Sequence, residues 1–199
     1  MDKRKLSNML LILTALIWGS AFVAQSIGME YIGPFTFGAV RSILGGLTLL
    51  PVIFFRKKKS QANKEKAEPD EKKEKNEQRK TLLAGGICCG ICLTIGSMAQ
   101  QIGLQYTTAG KGGFITALYI LIVPLLGLAF GRKAGKKVWC GVILAVVGMY
   151  FLCVKDGFSI SKGDWIILAG SFAFAGHILV IDYFSPKVDG VCLSCLQFF

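Results

Sequence analysis

The sequence predicts an all-α polytopic membrane protein, and three observations support that fold class. Six separate apolar stretches each have roughly the length that a helix needs to cross a bilayer. The 199-residue chain is 53% hydrophobic with a mean hydropathy of +0.54, and its 24 glycines suit close helix packing in lipid. The basic residues cluster between alternate stretches, as they do in proteins that cross a membrane repeatedly.

The six predicted spans follow one another with short connections, apart from one long charged segment. They lie at residues 9–27, 34–55, 82–104, 112–130, 138–154 and 164–184. The apolar tail at residues 190–199 rises only about 15 Å as a helix, which is too short to cross. We therefore expect the chain to be a truncated piece of a protein with about ten spans.

The fourth span contains a proline in its middle. Pro124 cannot donate a backbone hydrogen bond, and its ring crowds the carbonyl of Ile120. In lipid, a freed carbonyl is tolerated only where protein or a wet cavity satisfies it. We therefore expect a broken or kinked span that faces the inside of the helix bundle, where transporters place their substrate sites.

The segment at residues 56–80 has no hydrophobic periodicity and holds eleven basic and six acidic residues. A segment of this composition cannot form a hydrophobic core, so we expect it to be a solvated, disordered loop. The whole loop between the second and third spans covers residues 56–81.

Nineteen of the 23 basic residues lie in four places: residues 3–5, residues 56–80, residues 132–137 and Lys187. The alternate connections are poor in lysine and arginine, which predicts a cytoplasmic amino terminus in the cell membrane. Nucleic-acid binding is the alternative explanation of the +11 charge, but no basic patch is interleaved with aromatic residues. Cys192 and Cys195 form a single CxxC motif with no second pair and no histidine nearby, so we expect no metal site. We also expect no cofactor and no nucleic-acid partner.

A shift of 156 residues aligns the first predicted span with the sixth. Trp18 then faces Phe174, and Arg41 faces Gln197. One unit would hold five spans, so the next copy enters the membrane from the opposite side. The expected architecture is a pair of inverted five-helix repeats.

Several motifs resemble those of a known family. Residues 15–25 (ALIWGSAFVAQ), 33–46 (GPFTFGAVRSILGG) and 107–127 (TTAGKGGFITALYILIVPLLG) resemble the first EamA repeat of the drug/metabolite transporter (DMT) superfamily. Residues 185–199 resemble the opening of a second repeat. The resemblance implies ten helices in the whole protein, cytoplasmic termini and transport of small metabolites or drugs, commonly export. Here we expect six complete spans and part of a seventh.

We therefore expect a first repeat at residues 1–155 and the start of a second at residues 156–199. The expected function is alternating-access transport, with no catalytic residue, a small-molecule substrate, proton coupling or exchange, and a possible homodimer. Two alternatives stay open: a membrane-embedded enzyme acting on a lipid-linked substrate, and a non-transporting fragment. We expect the cavity to be lined from the first, fourth and sixth spans.

Two ionisable residues inside spans are candidates for contact with substrate. Arg41 either attracts an anionic substrate group or is structural, extending to the interface and tying helix ends together. His177, the only histidine, either carries a coupling proton or is neutral and bonded to a neighbouring helix.

Four further candidates are uncharged. Trp18 either stacks on the substrate or packs against other helices. Tyr119 is the preferred polar contact for the substrate; alternatively, it is a packed tyrosine whose hydroxyl bonds within the protein. Pro124 shapes the fourth span. Gln100, with its neighbour Gln101, either lines an exit or bonds across helices.

The charged residue Lys111, at the outer start of the fourth span, either attracts anions or is a solvated helix terminus.

The charge pattern predicts that residues 56–80 and residues 132–137 lie on the same, cytoplasmic side of the membrane. Reporter enzymes fused within each segment should both be active on the cytoplasmic side. Activity on opposite sides would contradict the predicted topology.

Overall fold

The computed structural model describes residues 3–61, 69–129, 131, 135–154 and 161–199. These residues form eight α-helices and no strand: α1 (Lys3–Tyr31), α2 (Pro34–Gln61), α3 (Pro69–Leu104), α4 (Ala109–Ala117), α5 (Tyr119–Ala129), α6 (Lys136–Val154), α7 (Lys162–Phe184) and α8 (Gly190–Leu196).

Five segments of the described chain are long and apolar enough to cross a membrane: Arg4–Tyr31, Pro34–Arg56, Asn76–Leu104, Ala109–Ala129 and Lys162–Phe184. Helix α6, with 19 residues, covers the fifth predicted span. Large apolar side chains such as Leu11 of α1 and Leu144 of α6 point away from the bundle and are exposed. An apolar exterior of this extent belongs in lipid, so the prediction of an all-α polytopic membrane protein is confirmed.

The most extensive helix contact joins α3 to α7 and depends on glycine. A Cβ on Gly103 would lie 2.7 Å from the carbonyl oxygen of Gly163, and one on Gly170 would lie 2.9 Å from Cβ of Ala99. A Cβ on Gly96 would lie 3.1 Å from the ring of Phe174. These glycines let two backbones approach closely, which is how helices associate in lipid.

The fourth span is broken, as predicted, but the break lies at Leu118. The Leu118 N–H donates to the Ile115 carbonyl at 3.1 Å, and the Leu121 N–H donates to the Leu118 carbonyl at 2.9 Å. These bonds tighten the turn just before Ile120, whose carbonyl the ring of Pro124 crowds. The break therefore lies two residues before that carbonyl.

Helical structure extends into the charged segment from both sides. We expected a disordered loop across residues 56–80, but α2 continues to Gln61 and α3 begins at Pro69. Residues 62–68 lie outside the described residues. Lysine, glutamate and glutamine favour helix, and Lys80 pairs with Glu77 at 2.9 Å. Proline is also well suited to the first helical position.

One end of the bundle carries an exposed ion pair between the last part of α2 and the N-cap of α8. Arg56 lies 3.6 Å from Asp189, whose carboxylate accepts the N–H groups of Cys192 and Val191. The hydrogen bond from Cys192 is the main cause that lowers the pKa of Asp189, helped by Val191 and Arg56. Because this pKa is depressed, the cap stabilises α8 at neutral pH and weakens as the pH falls through it.

The opposite end holds a buried ion pair between the starts of α4 and α7. Lys111 lies 3.6 Å from Asp164, with side chains only 13% and 7% exposed. Asp164 also accepts the Thr107 hydroxyl at 2.6 Å and completes a capping box with Ser161. Lys111 is therefore not the solvated terminus that we considered, since its cation compensates a buried carboxylate.

The variant Lys111→Met should lower the free energy of unfolding by about 3 kcal/mol, because it leaves the Asp164 carboxylate buried without its cation. Thermal unfolding in detergent would measure the loss. Lys162→Met, at an exposed site on the same turn of α7, is the matched control and should change stability by less than about 0.5 kcal/mol. The account would be contradicted if the two variants were equally stable.

Candidate functional site

A cavity of about 780 Å³ lies between α2, α3 and the tail, residues 196–199, in which α8 ends. Its wall is mostly apolar, and its polar groups come from five side chains: Arg41, Ser42, Thr94, Ser97 and Gln197. Its size is within the range of small-molecule sites. We expected a cavity lined from the first, fourth and sixth spans, whereas this one is lined from the second and third spans and the tail.

Arg41 provides the cationic group of this cavity. Its Nη2 donates to the hydroxyl of Ser97 on α3 at 3.4 Å, and no carboxylate is paired with it among the described residues. A guanidinium has five N–H donors in a planar fork. One long hydrogen bond leaves most of that fork available to a carboxylate or phosphate in the cavity.

Glycines on α2 and α3 seat the residues at the end of α8 against the cavity. A Cβ on Gly46 would meet the ring of Phe199 at 2.6 Å, and one on Gly90 would lie 3.2 Å from the carbonyl oxygen of Gln197. A Cβ on Gly86 would collide with Leu196. Gly86 and Gly90 therefore form a packing contact with the tail.

His177 reaches the cavity through one intermediary. Its Nε2–H donates to Oε1 of Gln197 at 2.9 Å, and the imidazole is 8% exposed. Gln197 is the residue that the 156-residue shift aligns with Arg41, and both residues line the cavity, Gln197 from the wall that the tail forms. The histidine is thus bonded to a neighbouring segment, and it lies behind that wall.

The aromatic candidates meet away from this cavity. The rings of Trp18 and Tyr119 are 6.4 Å apart and nearly perpendicular, which is a favourable edge-to-face contact. Trp18 is 60% exposed on the outside of α1, and Tyr119 is half-buried. Pro124 lies five residues after Tyr119 on α5 and is not among the residues that line the cavity.

The two adjacent glutamines have different environments. Gln100 donates to the Thr116 hydroxyl at 3.0 Å, and that hydroxyl in turn donates to the Gly112 carbonyl at 2.8 Å. Gln100 therefore bonds across helices. Gln101 is fully buried, and neither atom of its amide has a partner among the described residues.

Sequence reasoning missed Ser97 and Thr94, and it named Gln197 only as the counterpart of Arg41. Single hydroxyls within an apolar span are common in membrane helices, so composition alone does not distinguish them. A useful signal was available in the repeat: the residue aligned with a charged position is a candidate for the same cavity.

Comparison with known proteins agrees with this architecture. Residues 5–154 match the EamA-like transporter family. An uncharacterized transporter of Archaeoglobus fulgidus is 32% identical over 99% of this chain and 56% of its own length. The uncharacterized inner membrane transporter YedA of Escherichia coli K12 is 25% identical over 80% of this chain and 48% of its own length.

A third relative, the uncharacterized transporter YoaV of Bacillus subtilis, is 22% identical over 82% of this chain and 53% of its own length. The chain thus spans about half the length of the curated relatives that it matches. No solved structure matches it.

Proposed function

Because the chain belongs to the EamA-like transporter family of the DMT superfamily, we propose that it is part of a carrier that exports a small organic solute with an anionic group. Membership of the family and the apolar helices support a multi-pass membrane protein of transporter type. The class of solute, the direction of transport and the mechanism are the proposal.

The Arg41 guanidinium in the cavity is the observation that carries this proposal. A charge within a span is costly unless it faces water or a partner, and such residues commonly mark a substrate pathway. Arg41 faces a cavity with room for a metabolite, and its hydrogen-bonding capacity is mostly unused. A carboxylate or phosphate of the solute would complete the pairing.

Alternating access between inverted repeats is supported by the direction of two helices. In its second half, α1 contacts the first part of α4, where a Cβ on Gly113 would lie 3.7 Å from the ring of Phe22. The start of α7 lies at that same end, where Lys111 pairs with Asp164. Helices α1 and α7 therefore run in opposite directions, as the first helices of two inverted repeats must.

In this proposal the amino terminus is cytoplasmic, residues 1–155 form the first repeat, and residues 156–199 begin the second. His177 is the candidate for proton coupling, because its bond to Gln197 connects a titratable group to the cavity wall. Trp18, Tyr119, Pro124 and Gln100 stay candidates for contact with the solute. Assembly as a homodimer stays a hypothesis.

The variant Arg41→Ala should reduce solute efflux about 10- to 100-fold at low solute concentration, because a charge-assisted hydrogen bond contributes about 1.5–3 kcal/mol. Metabolites in the medium of cells that express the protein would be compared by mass spectrometry with those of cells that do not. Arg41→Lys should retain part of the efflux, and Tyr119→Phe and His177→Ala test the other candidates.

Arg56→Ala is the matched control, since Arg56 lies on the same helix but outside the cavity and is exposed. Wild-type efflux by Arg41→Ala would show that the anion site is wrong. Turnover of a lipid-linked substrate without flux would favour the membrane-embedded enzyme, and neither activity would favour a non-transporting fragment.

A further inference from the structure

The amide of Gln101 is a buried polar group for which the fold supplies no partner. Among the described residues, only Gln25 and Gln101 have buried side-chain nitrogen or oxygen atoms without a hydrogen bond. Gln101 is 0% exposed, and both its Oε1 and its Nε2 are unpaired. An unsatisfied buried group of this kind costs about 1–3 kcal/mol, so a folded protein rarely keeps one without use.

Gln101 lies one turn beyond Ser97 on the same face of α3, about 6 Å along the helix axis. On the facing helix, Gly38 lies one turn before Arg41. A Cβ on Gly38 would lie 2.9 Å from Oε1 of Gln101. The Gly38–Gln101 contact thus continues the Arg41–Ser97 contact in the register of two antiparallel helices.

The contact at Gly38 also connects Gln101 to the cavity. Gly38 and Met98 both line the cavity. The methyl group of Met98 occupies the position that a Cβ of Gly38 would need, beside the Gln101 amide. Because glycine has no side chain there, a methionine and an amide share this position. Methionine is flexible and adopts other rotamers at low cost.

We propose that Gln101 is a specificity-determining residue, which binds an uncharged donor–acceptor group of the solute after Met98 rotates away. The solute then has a carboxylate at Arg41 and Ser97 and, about 6 Å away, an amide or a similar group at Gln101. An amide of the solute pairs with the Gln101 amide through two complementary hydrogen bonds. This inference rests on the proposed anionic substrate of the cavity.

Two probe acids test the inference on the purified protein. Glutaramate has a carboxylate and a terminal amide separated by three methylene groups, and 5-methylhexanoate replaces that amide with an isopropyl group of similar size. Binding would be followed as the rise in Tm with acid concentration in detergent. The wild-type protein should prefer glutaramate. In Gln101→Leu, half-saturation by glutaramate should need about tenfold more acid, and the preference should reverse.

The neighbouring glutamine provides a control for stability. Gln100→Leu removes a satisfied hydrogen bond to Thr116 and should lower the Tm of the protein without probe, whereas Gln101→Leu should not lower it. An equal loss of Tm in both variants would show that the Gln101 amide has a structural role, and would overturn the proposal.

The outcomes also separate this inference from the proposed function. Equal binding of the two acids by the wild-type protein, abolished in Arg41→Ala, would retain the anion site and overturn the role of Gln101. An unchanged preference for glutaramate in Gln101→Leu would overturn it as well. If neither acid raises the wild-type Tm, the proposed anionic substrate fails, and the role of Gln101 fails with it.

Discussion

The structure depends on one constraint, which is that polar groups in hydrocarbon have to be satisfied within the protein or by a wet cavity. Helix α3 meets that constraint on two sides. Gly96 and Gly103 face α7 and allow close backbone packing, whereas Ser97 faces α2 and accepts a hydrogen bond from Arg41. Gln100 is satisfied by Thr116 on α4. Ser97 and Gln100 thus have hydrogen-bond partners on neighbouring helices, whereas the buried amide of Gln101 has none among the described residues.

The arrangement of the helix ends follows from the same constraint. Charged pairs lie near the two ends of the bundle: exposed Arg56 and Asp189 at one, buried Lys111 and Asp164 at the other. The buried pair needs the additional hydrogen bonds from Thr107 and Ser161, because ion pairing alone seldom offsets the loss of hydration. Arg41 is different, since the described residues supply it with a hydroxyl and no counter-ion.

Hydropathy and residue type predicted the spans and the break in the fourth, because both follow from local composition and from the chemistry of Pro124. The position of the cavity could not be predicted in the same way. It depends on which faces of α2 and α3 meet the residues after α8, and the pairing of Lys111 with Asp164 joins residues more than fifty positions apart. The helical ends of the charged segment were not predicted, because a composition rich in lysine and glutamate is typical of disordered segments. The same residues also have high helix propensity.

An anion site at Arg41 requires that water reaches this residue inside the membrane through the cavity between α2 and α3. It is tested most directly by cysteine accessibility, in a background whose seven native cysteines are replaced. Thr94→Cys, on the cavity wall, should react with a membrane-impermeant thiol reagent, whereas Ile43→Cys, on the outward face of α2, should not. If Thr94→Cys were as unreactive as Ile43→Cys, Arg41 would lie in a dry site and the account would be contradicted.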